Sequence, residues 1–482
     1  MAISELAKIR RDVFTEIARL ALSGRLKEMP DATKKIIPDG PARYRCCIYK
    51  ERAIVEERLV LANGGRNGKG EEISAGPVVQ ILETACNGCS LDKFTVTDAC
   101  VGCVAHHCKS NCPKDAIMIV QGRAYIDQSR CVECGSCRRA CKYGAIIELA
   151  RPCERACPVQ ALHVGEGRLA TIDYDKCIFC GKCVEGCPFG AAADVSFVGP
   201  VCEELYKKEK KLYAILAPSI VGQFGVKVTI DQIKAALKLL GFAGVMEAAC
   251  GADATVISEG EEFLETVPKS RPFMTTSCCP AFVEAIAKHL PEHQNKVSHT
   301  PSPMAFAAKM FKKEDPDGLV VFIGPCIAKK HEATKIEEMD YVLTFEELFA
   351  IFHAAQIKPE EVVAEVASLD EASRDGRGFA KAGGVAKAVE NYLLERDSGL
   401  DIHVIACQGI AECLQTLKDI AAGKIFANLV EGMSCTGGCV GGPGVLNRPQ
   451  IVGKQVEKLM QDSSLHSPLE NTRALEILHD AK

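Results

Sequence analysis

Apolar and polar positions change their rhythm twice along the chain. Over Met1–Gly24, Leu and Ile recur among Arg10, Arg11, Glu16 and Arg19, which predicts an amphipathic helix and not a signal peptide with an apolar central stretch. Between about residues 76 and 200 the apolar runs are short and lie between cysteine-rich loops; Ala116–Val120 and Ala124–Ile126 read as strands of small sheets. From about Val201 apolar strands alternate with amphipathic helices. Leu212–Leu216, Leu319–Ile323 and His403–Ala406 predict strands, while Ile230–Leu240, stopped by Gly241, Phe345–Ala355 and a segment running through Ile420 predict helices. The rhythms divide the chain into a helical, polar region at 1–75, a cysteine-rich region at 76–200 and an α/β domain at 201–482 with room for an interior site.

A chain of 482 residues is long enough for several domains. Its net charge of −5 is small, and it has no Lys/Arg block of the kind that neutralises phosphates, so nucleic acid is not an expected partner. No apolar run approaches the roughly 20 residues of a spanning helix, and a soluble, cytoplasmic protein without membrane contact is expected. The 27 cysteines change the picture most. Cytosolic thiols stay reduced, so this number points to bound metal.

A cubane cluster takes three thiolates from a tight loop and one from elsewhere; bacterial ferredoxins do this with C-x2-C-x2-C-x3-C-P, whose last Cys serves the other cluster. Cys177, Cys180, Cys183, Cys187 and Pro188 form that run, and Cys131, Cys134, Cys137 and Cys141 repeat its spacing without the proline. Cys100, Cys103, Cys108, Cys112 and Pro113 form it with two extra residues in the middle gap. The pairing that completes a two-cluster unit is Cys100, Cys103, Cys108 with Cys141, and Cys131, Cys134, Cys137 with Cys112. The run at Cys177 then lacks a partner, unless Cys86-x2-Cys89 and Cys153-x3-Cys157-Pro158 are halves of one interrupted motif. The expected arrangement is therefore nested: an inner unit at about 92–149 inserted into an outer ferredoxin fold. The outer clusters would take Cys86, Cys89, Cys153 with Cys187, and Cys177, Cys180, Cys183 with Cys157. Zinc or another cluster at Cys86 and Cys89 remains the alternative. His106 and His107 read as solvated loop residues. Four accessory [4Fe-4S] clusters would make this half a one-electron wire.

The later cysteines sit in three strings: Thr276-Ser-Cys-Cys-Pro-Ala-Phe282, Gly324-Pro-Cys-Ile-Ala-Lys-Lys330 and Glu431-Gly-Met-Ser-Cys-Thr-Gly-Gly-Cys-Val-Gly-Gly442. They resemble the three signature motifs of the [FeFe]-hydrogenases, over about Lys211–Asn447. The resemblance implies a multidomain α+β and α/β chain: nested ferredoxin-like two-cluster modules followed by a two-lobed α/β H-cluster domain. It implies that Cys279, Cys326, Cys435 and Cys439 hold the cubane of the H-cluster, with Cys439 bridging to a diiron subcluster carrying CO, CN and a dithiolate amine. Pro218, Ser219, Lys329 and Met433 would surround that cofactor, and Gly437, Gly438, Gly441 and Gly442 would let the backbone approach it. Lys330, next to Lys329, reads as a solvated charge.

The same resemblance makes Cys278 a proton relay, a role open to a thiol whose pKa its surroundings can move. Glu259 and Glu262, three apart on one predicted helix, and Ser298 would continue the relay. The sequence departs from the common pattern at Phe282 (Trp), Gly324 (Met), Pro443 (Gly), Thr266 (an Arg at the proton exit) and Met304 (Gln), as a divergent, group B-like subgroup would. Cys46, Cys47, Cys202, Cys250, Cys407 and Cys413 match no ligand pattern and are expected to be buried.

The implied activity is reversible formation of H2 from protons and electrons exchanged with a ferredoxin or similar carrier, with no direction of flux read from the residues; other proteins would insert the diiron unit. Two rivals are an Fe–S assembly protein that keeps a cubane alone and a hydrogen sensor. A subunit of an NADH-linked, electron-bifurcating complex is a third, and no flavin or dinucleotide module speaks for it.

Overall fold

A computed structural model of the protein describes residues 4–480 apart from 75, 87–91, 166, 168, 365–370, 397, 398 and 400. The cysteine-rich half is nested. Its outer fold pairs Val79–Ile81 with Ala192–Asp194 and Leu162–Val164 with Ala170–Ile172; between these lies an inner unit pairing Phe94–Val96 with Ile146–Glu148 and Ile117–Val120 with Arg123–Ile126. All four ladders are antiparallel and short. The hairpin at Gln121-Gly122 carries positive φ at both central residues, +50° and +74°, the turn whose twist matches its strands.

The C-terminal half carries two parallel sheets. One has the order Gly244–Glu247, Leu212–Leu216, Leu319–Gly324, Tyr341–Thr344; the other Met274–Thr275, Leu429–Met433, Val404–Gln408. Leu319–Gly324 and Leu429–Met433 are buried at every position, as the central strand of a sheet covered on both faces must be. The expected helices form where local chemistry starts and stops them. Ile230–Leu240 opens on a capping box of Thr229 with Gln232 and ends at Gly241, φ +118°, and Phe345–Ala354 opens on a second box of Thr344 with Glu347.

The polar N-terminal region is not a separate body. Val13, Phe14, Ile17 and Leu20, on the helix Glu5–Ala21, share one core with Leu216, Ile323 and Phe345, while Arg10 and Arg11 pair with Glu346 on the other side. Arg45 donates to the carbonyls of Ala85 (3.3 Å) and Phe189 (3.0 Å), which ties this region to the outer ferredoxin fold as well.

Two expectations fail. Lys330 is not solvated: its side chain is 0% exposed and its ammonium reaches Asp194 (2.6 Å), Glu347 (2.7 Å) and the Val195 carbonyl (2.8 Å). Two carboxylates from separate elements replace its water. Cys46 and Cys47 are exposed, because they lie in the loop before the helix Ile48–Ala62, whereas Cys202, Cys250, Cys407 and Cys413 are buried as expected. Cys250 faces Met310 and Asn471.

Candidate active site

The strings met in the sequence all begin where parallel strands end, so the two sheets aim them at one crevice, the usual ligand position in open α/β sheets. Ala217–Ser219 follows Leu212–Leu216, Pro325-Cys326 follows Leu319–Gly324, Thr276–Cys279 follows Met274–Thr275, and Ser434-Cys435 follows Leu429–Met433. Together they enclose a cavity of about 90 Å³ lined by Cys278, Cys279, Cys326, Cys435 and Cys439. Pro218, Ser219, Lys329 and Met433 line the same cavity, as does Met304.

The donors fit an iron–sulfur cluster with a second group beside it. Burial pushes the Cys326 and Cys439 thiols up to about 12, so at neutral pH these sulfurs need a metal in place of the proton to become thiolates. Among the described residues no three His, Cys, Asp or Glu side chains close on a single-ion site, and four thiols around one cavity suit a cluster with separate iron corners. Beyond them, Ser219 Oγ is fully buried in the cavity wall without a partner, as is Ser434 Oγ; a buried hydroxyl left unmatched costs free energy unless a ligand accepts its hydrogen bond. Lys329 donates to Ser302 Oγ (3.1 Å) and faces Glu332 (2.6 Å).

The glycines beside Cys439 also stand close to protein backbone. A Cβ on Gly438 would lie 2.5 Å from the Ala382 nitrogen, and one on Gly442 2.5 Å from the Pro325 carbonyl oxygen. They let the cysteine loop pack on neighbouring backbone, and Gly438 also needs its φ of +84°.

Among the ferredoxin-type cysteines, Cys108 lies close to Cys141 and Cys103, and Cys137 to Cys131 and Cys112, as the inner pairing requires. Cys177, Cys180 and Cys183 gather with Cys157. Cys86, Cys153 and Cys187 share one apolar cluster; Cys89 lies outside the described residues. Cys100 and Cys134 occupy the inner loops, where backbone N–H of Ala124 reaches the first (3.5 Å) and Ser136 Oγ stands 3.5 Å from the second. The loop Cys177–Cys183 abuts the main cavity: Cys180 lines it, and a Cβ on Gly181 would sit 2.5 Å from Ile327 Cδ1. Lys288 donates to the Cys177 carbonyl (2.8 Å) and His331 stacks on Phe179 at 4.0 Å.

Sequence comparison matches residues 210–443 to the iron only hydrogenase large subunit, C-terminal domain, and residues 124–147 and 170–192 to the 4Fe-4S binding domain. The periplasmic [Fe] hydrogenase large subunit of Nitratidesulfovibrio vulgaris is 30% identical over 387 residues, 68% of this chain and 87% of that protein. The chain belongs to the iron-only hydrogenase family. Iron hydrogenase 1 of Clostridium pasteurianum is 29% identical over 320 residues; this chain spans only about half of that relative, 55% of its length. A solved [FeFe]-hydrogenase HydA1 of Chlamydomonas reinhardtii is 21% identical, over 56% of this chain and 89% of that one, at a TM-score of 0.46. No described helix is long and apolar enough to cross a membrane.

Within this hydrogenase-family domain, the residues expected to move protons lie behind the cavity. Cys278 is buried in the cavity wall near Glu259, which is fully buried in the helix Ala248–Thr266. Glu259 Oε1 accepts from the Ser277 N–H (3.0 Å) and hydroxyl (3.2 Å), and its Oε2 has no partner. Burial pushes this carboxyl up to about 7. Ser298 Oγ donates to Glu262 (2.7 Å) and also acts on Glu259, so it stands between the two. Burial works against the ionised Glu262 too, but hydrogen bonds from Ser298, the His299 N–H and Arg271 outweigh it and hold its pKa below the ordinary value.

Sequence reasoning missed several neighbours. Arg271 donates to Glu262 (2.5 Å) and to the Thr266 hydroxyl (3.0 Å), so the chain supplies a guanidinium beside Glu262 from five residues beyond Thr266. His299 also contacts Glu262, and Ser302 holds Lys329. None lies in a motif; only the tertiary fold of the segment 267–302, with its strand Met274–Thr275 and helix Pro280–His289, brings them there.

Proposed function

We propose that this chain is an [FeFe]-hydrogenase that interconverts protons, electrons and H2. The observation that carries the reading is the succession from the cavity outward of Cys278, the fully buried Glu259, Ser298 and Glu262, with Ser298 hydrogen-bonded to Glu262. Cys279, Cys326, Cys435 and Cys439 hold the cubane, and Ser219, Lys329, Pro218 and Met433 wall the adjacent diiron group, with Ser219 and Lys329 as its hydrogen-bond donors. When bound, the six-iron H-cluster, with its CO, CN and dithiolate amine ligands, supplies the redox chemistry of H2.

The residues do the rest. Cys278 holds a proton at the cavity wall, and Glu259 exchanges it, since a carboxyl with a pKa of about 7 gives and takes protons at little cost near neutral pH. Glu262 rests ionised, its carboxylate held in that form by Ser298, His299 and Arg271, and holds a proton only in transit. Four accessory [4Fe-4S] clusters would supply one-electron carriage: Cys100, Cys103, Cys108, Cys141 and Cys131, Cys134, Cys137, Cys112 would hold the inner pair, and Cys86, Cys89, Cys153, Cys187 and Cys177, Cys180, Cys183, Cys157 the outer pair. The loop that would hold the last reaches the cavity wall at Cys180. A ferredoxin or similar one-electron carrier serves as partner, and diiron-inserting maturation proteins complete the site.

Infrared spectroscopy of anaerobic, maturase-treated protein tests this. Sharp CO and CN bands that shift under H2 are expected. Their absence, with every cubane filled and a control hydrogenase activated by the same maturases, would leave the assembly-protein reading; bands without turnover would leave the sensor.

A further inference from the structure

Glu262 is the last carboxylate of the buried series, and its surroundings decide how protons reach it. Its side chain is only 15% exposed. Arg271 covers one side, with its guanidinium spent on Glu262, Thr266 and the Val297 carbonyl (3.2 Å); an arginine keeps its charge in proteins and passes no proton on. The hydroxyls of Ser298 and Thr300 (3.2 Å) face inward. His299 differs from all of these. Its backbone N–H donates to both carboxylate oxygens at 3.1 Å, which fixes the residue, and its ring Nδ1 lies 3.1 Å from Glu262 Oε1 while its side chain is 80% exposed. One ring nitrogen therefore meets the relay and the other meets water.

We propose that His299 is the proton-exchange residue of this chain, carrying protons between bulk solvent and Glu262. Inward, Nε2 takes a proton from hydronium or a buffer acid, and the imidazolium gives its Nδ1 proton to the Glu262 carboxylate. One proton enters the ring, one leaves, and no electron moves. The neutral ring then returns to its starting tautomer by exchange with water. Imidazole is the side chain whose ordinary pKa suits this near neutral pH. The charged groups that face the ring are the Glu262 carboxylate and, behind it, the Arg271 guanidinium. The proposal rests on the reading that Glu262 and Glu259 serve the cavity. A competing entrance is the cavity of about 490 Å³ on the far side of Arg271, near Lys269 and Asp401.

The test compares wild-type holoenzyme with His299→Ala and His299→Asn, the second able to keep a side-chain hydrogen bond to Glu262 but unable to titrate. At neutral pH and low buffer, both variants are expected to evolve H2 about tenfold or more slowly, with CO and CN bands intact; general acid–base groups contribute at least this much. Added imidazole should restore most of the rate in His299→Ala. Wild-type rates in both variants would place proton entry at the other cavity and overturn the proposal. So would a slow Ala variant beside a fully active Asn variant without imidazole rescue, which would reduce His299 to a structural hydrogen bond. Nuclear magnetic resonance of the His299 ring separates the proposal from the hydrogenase reading: with the ring contact to Glu262 in place, its Nδ1 resonance should shift in Glu262→Gln whether or not the diiron group is present. An unmoved resonance overturns the contact itself, whereas missing CO and CN bands in wild type sink only the hydrogenase reading.

Discussion

Replacing Lys330 with Met removes one buried cation and strands two carboxylates. The Lys330 side chain is 0% exposed, that of Glu347 1% and that of Asp194 10%, so water cannot take over. Removing one partner of such a buried set costs about 3–5 kcal/mol. Met nearly conserves the volume, so little cavity cost adds to it, and the partial exposure of Asp194 puts the expected loss near the lower end. A loss of about 3 kcal/mol is more than a hundredfold in the folded-to-unfolded ratio. Anaerobic urea titrations, followed by far-ultraviolet and cluster circular dichroism, read it as a lower midpoint at unchanged slope. The pH dependence has a definite sign. The Asp194 and Glu347 carboxylates outweigh the burial that disfavours the charge, so the folded-state pKa of Lys330 lies above its ordinary value. Its stabilisation is then fully present below the unfolded pKa of about 10.4 and lost as pH rises through the higher folded value. The gap between wild type and Lys330→Met should be flat through neutral pH and close only in strong alkali. Adding Asp194→Asn and Glu347→Gln to the variant should recover most of the loss. A Met variant with the wild-type midpoint at pH 7 would refute the reasoning and mean that this ion cluster contributes nothing net.

Three further outcomes are expected. Glu259→Gln keeps the Ser277 hydrogen bonds but cannot titrate, so H2 turnover should drop about a hundredfold or more with CO and CN bands retained. Because burial raises Glu259 to about 7, wild type loses stability as pH climbs from the ordinary carboxylate range through 7; the Gln variant should match it at pH 4 and exceed it at pH 8 by on the order of 3 kcal/mol, and equal midpoints at both would contradict the burial argument. Ser219→Ala removes an unpartnered buried hydroxyl; it should leave diiron-free protein no less stable and shift a CN band of the loaded enzyme, whereas a clear loss of stability with unmoved bands would argue that the hydroxyl serves the protein. Gly181→Val forces a side chain onto Ile327 at a φ of +77°, so donor-driven turnover should fall while H2/D2O exchange, which needs no external electrons, persists; equal loss of both would deny that this contact couples wire and site.

Much of this protein could be read from one dimension. Cluster chemistry needs cysteines at fixed short spacings, so the ferredoxin runs and their nesting appear in the sequence as counts between residues; the hairpin strands between two runs were legible as short apolar stretches, whereas the pairing of Phe94–Val96 with Ile146–Glu148 was not. The capped helices Ile230–Leu240 and Phe345–Ala354 were equally legible, because caps act within one turn of chain. The motif strings marked the catalytic pocket for the same reason: each is a local loop at a strand end.

What spacing could not carry was any contact between distant segments. Lys330 was misjudged because its neighbour Lys329 lines the cavity and the alternation of a charged pair usually leaves one in water; its partners, 136 and 17 residues away, come from other elements. Arg271 and His299 reach Glu262 only because the segment 267–302 folds back against its helix, and what the apolar stripe of the helix Glu5–Ala21 packs on, a core shared with Leu216, Ile323 and Phe345, is likewise a contact between distant segments. Sequence alone fixed which atoms can bind iron, since ligand identity and loop spacing are local properties. Tertiary structure decided which charges are dry and which carboxyl is raised by burial, since burial and electrostatics depend on what packs against a group and not on what precedes it.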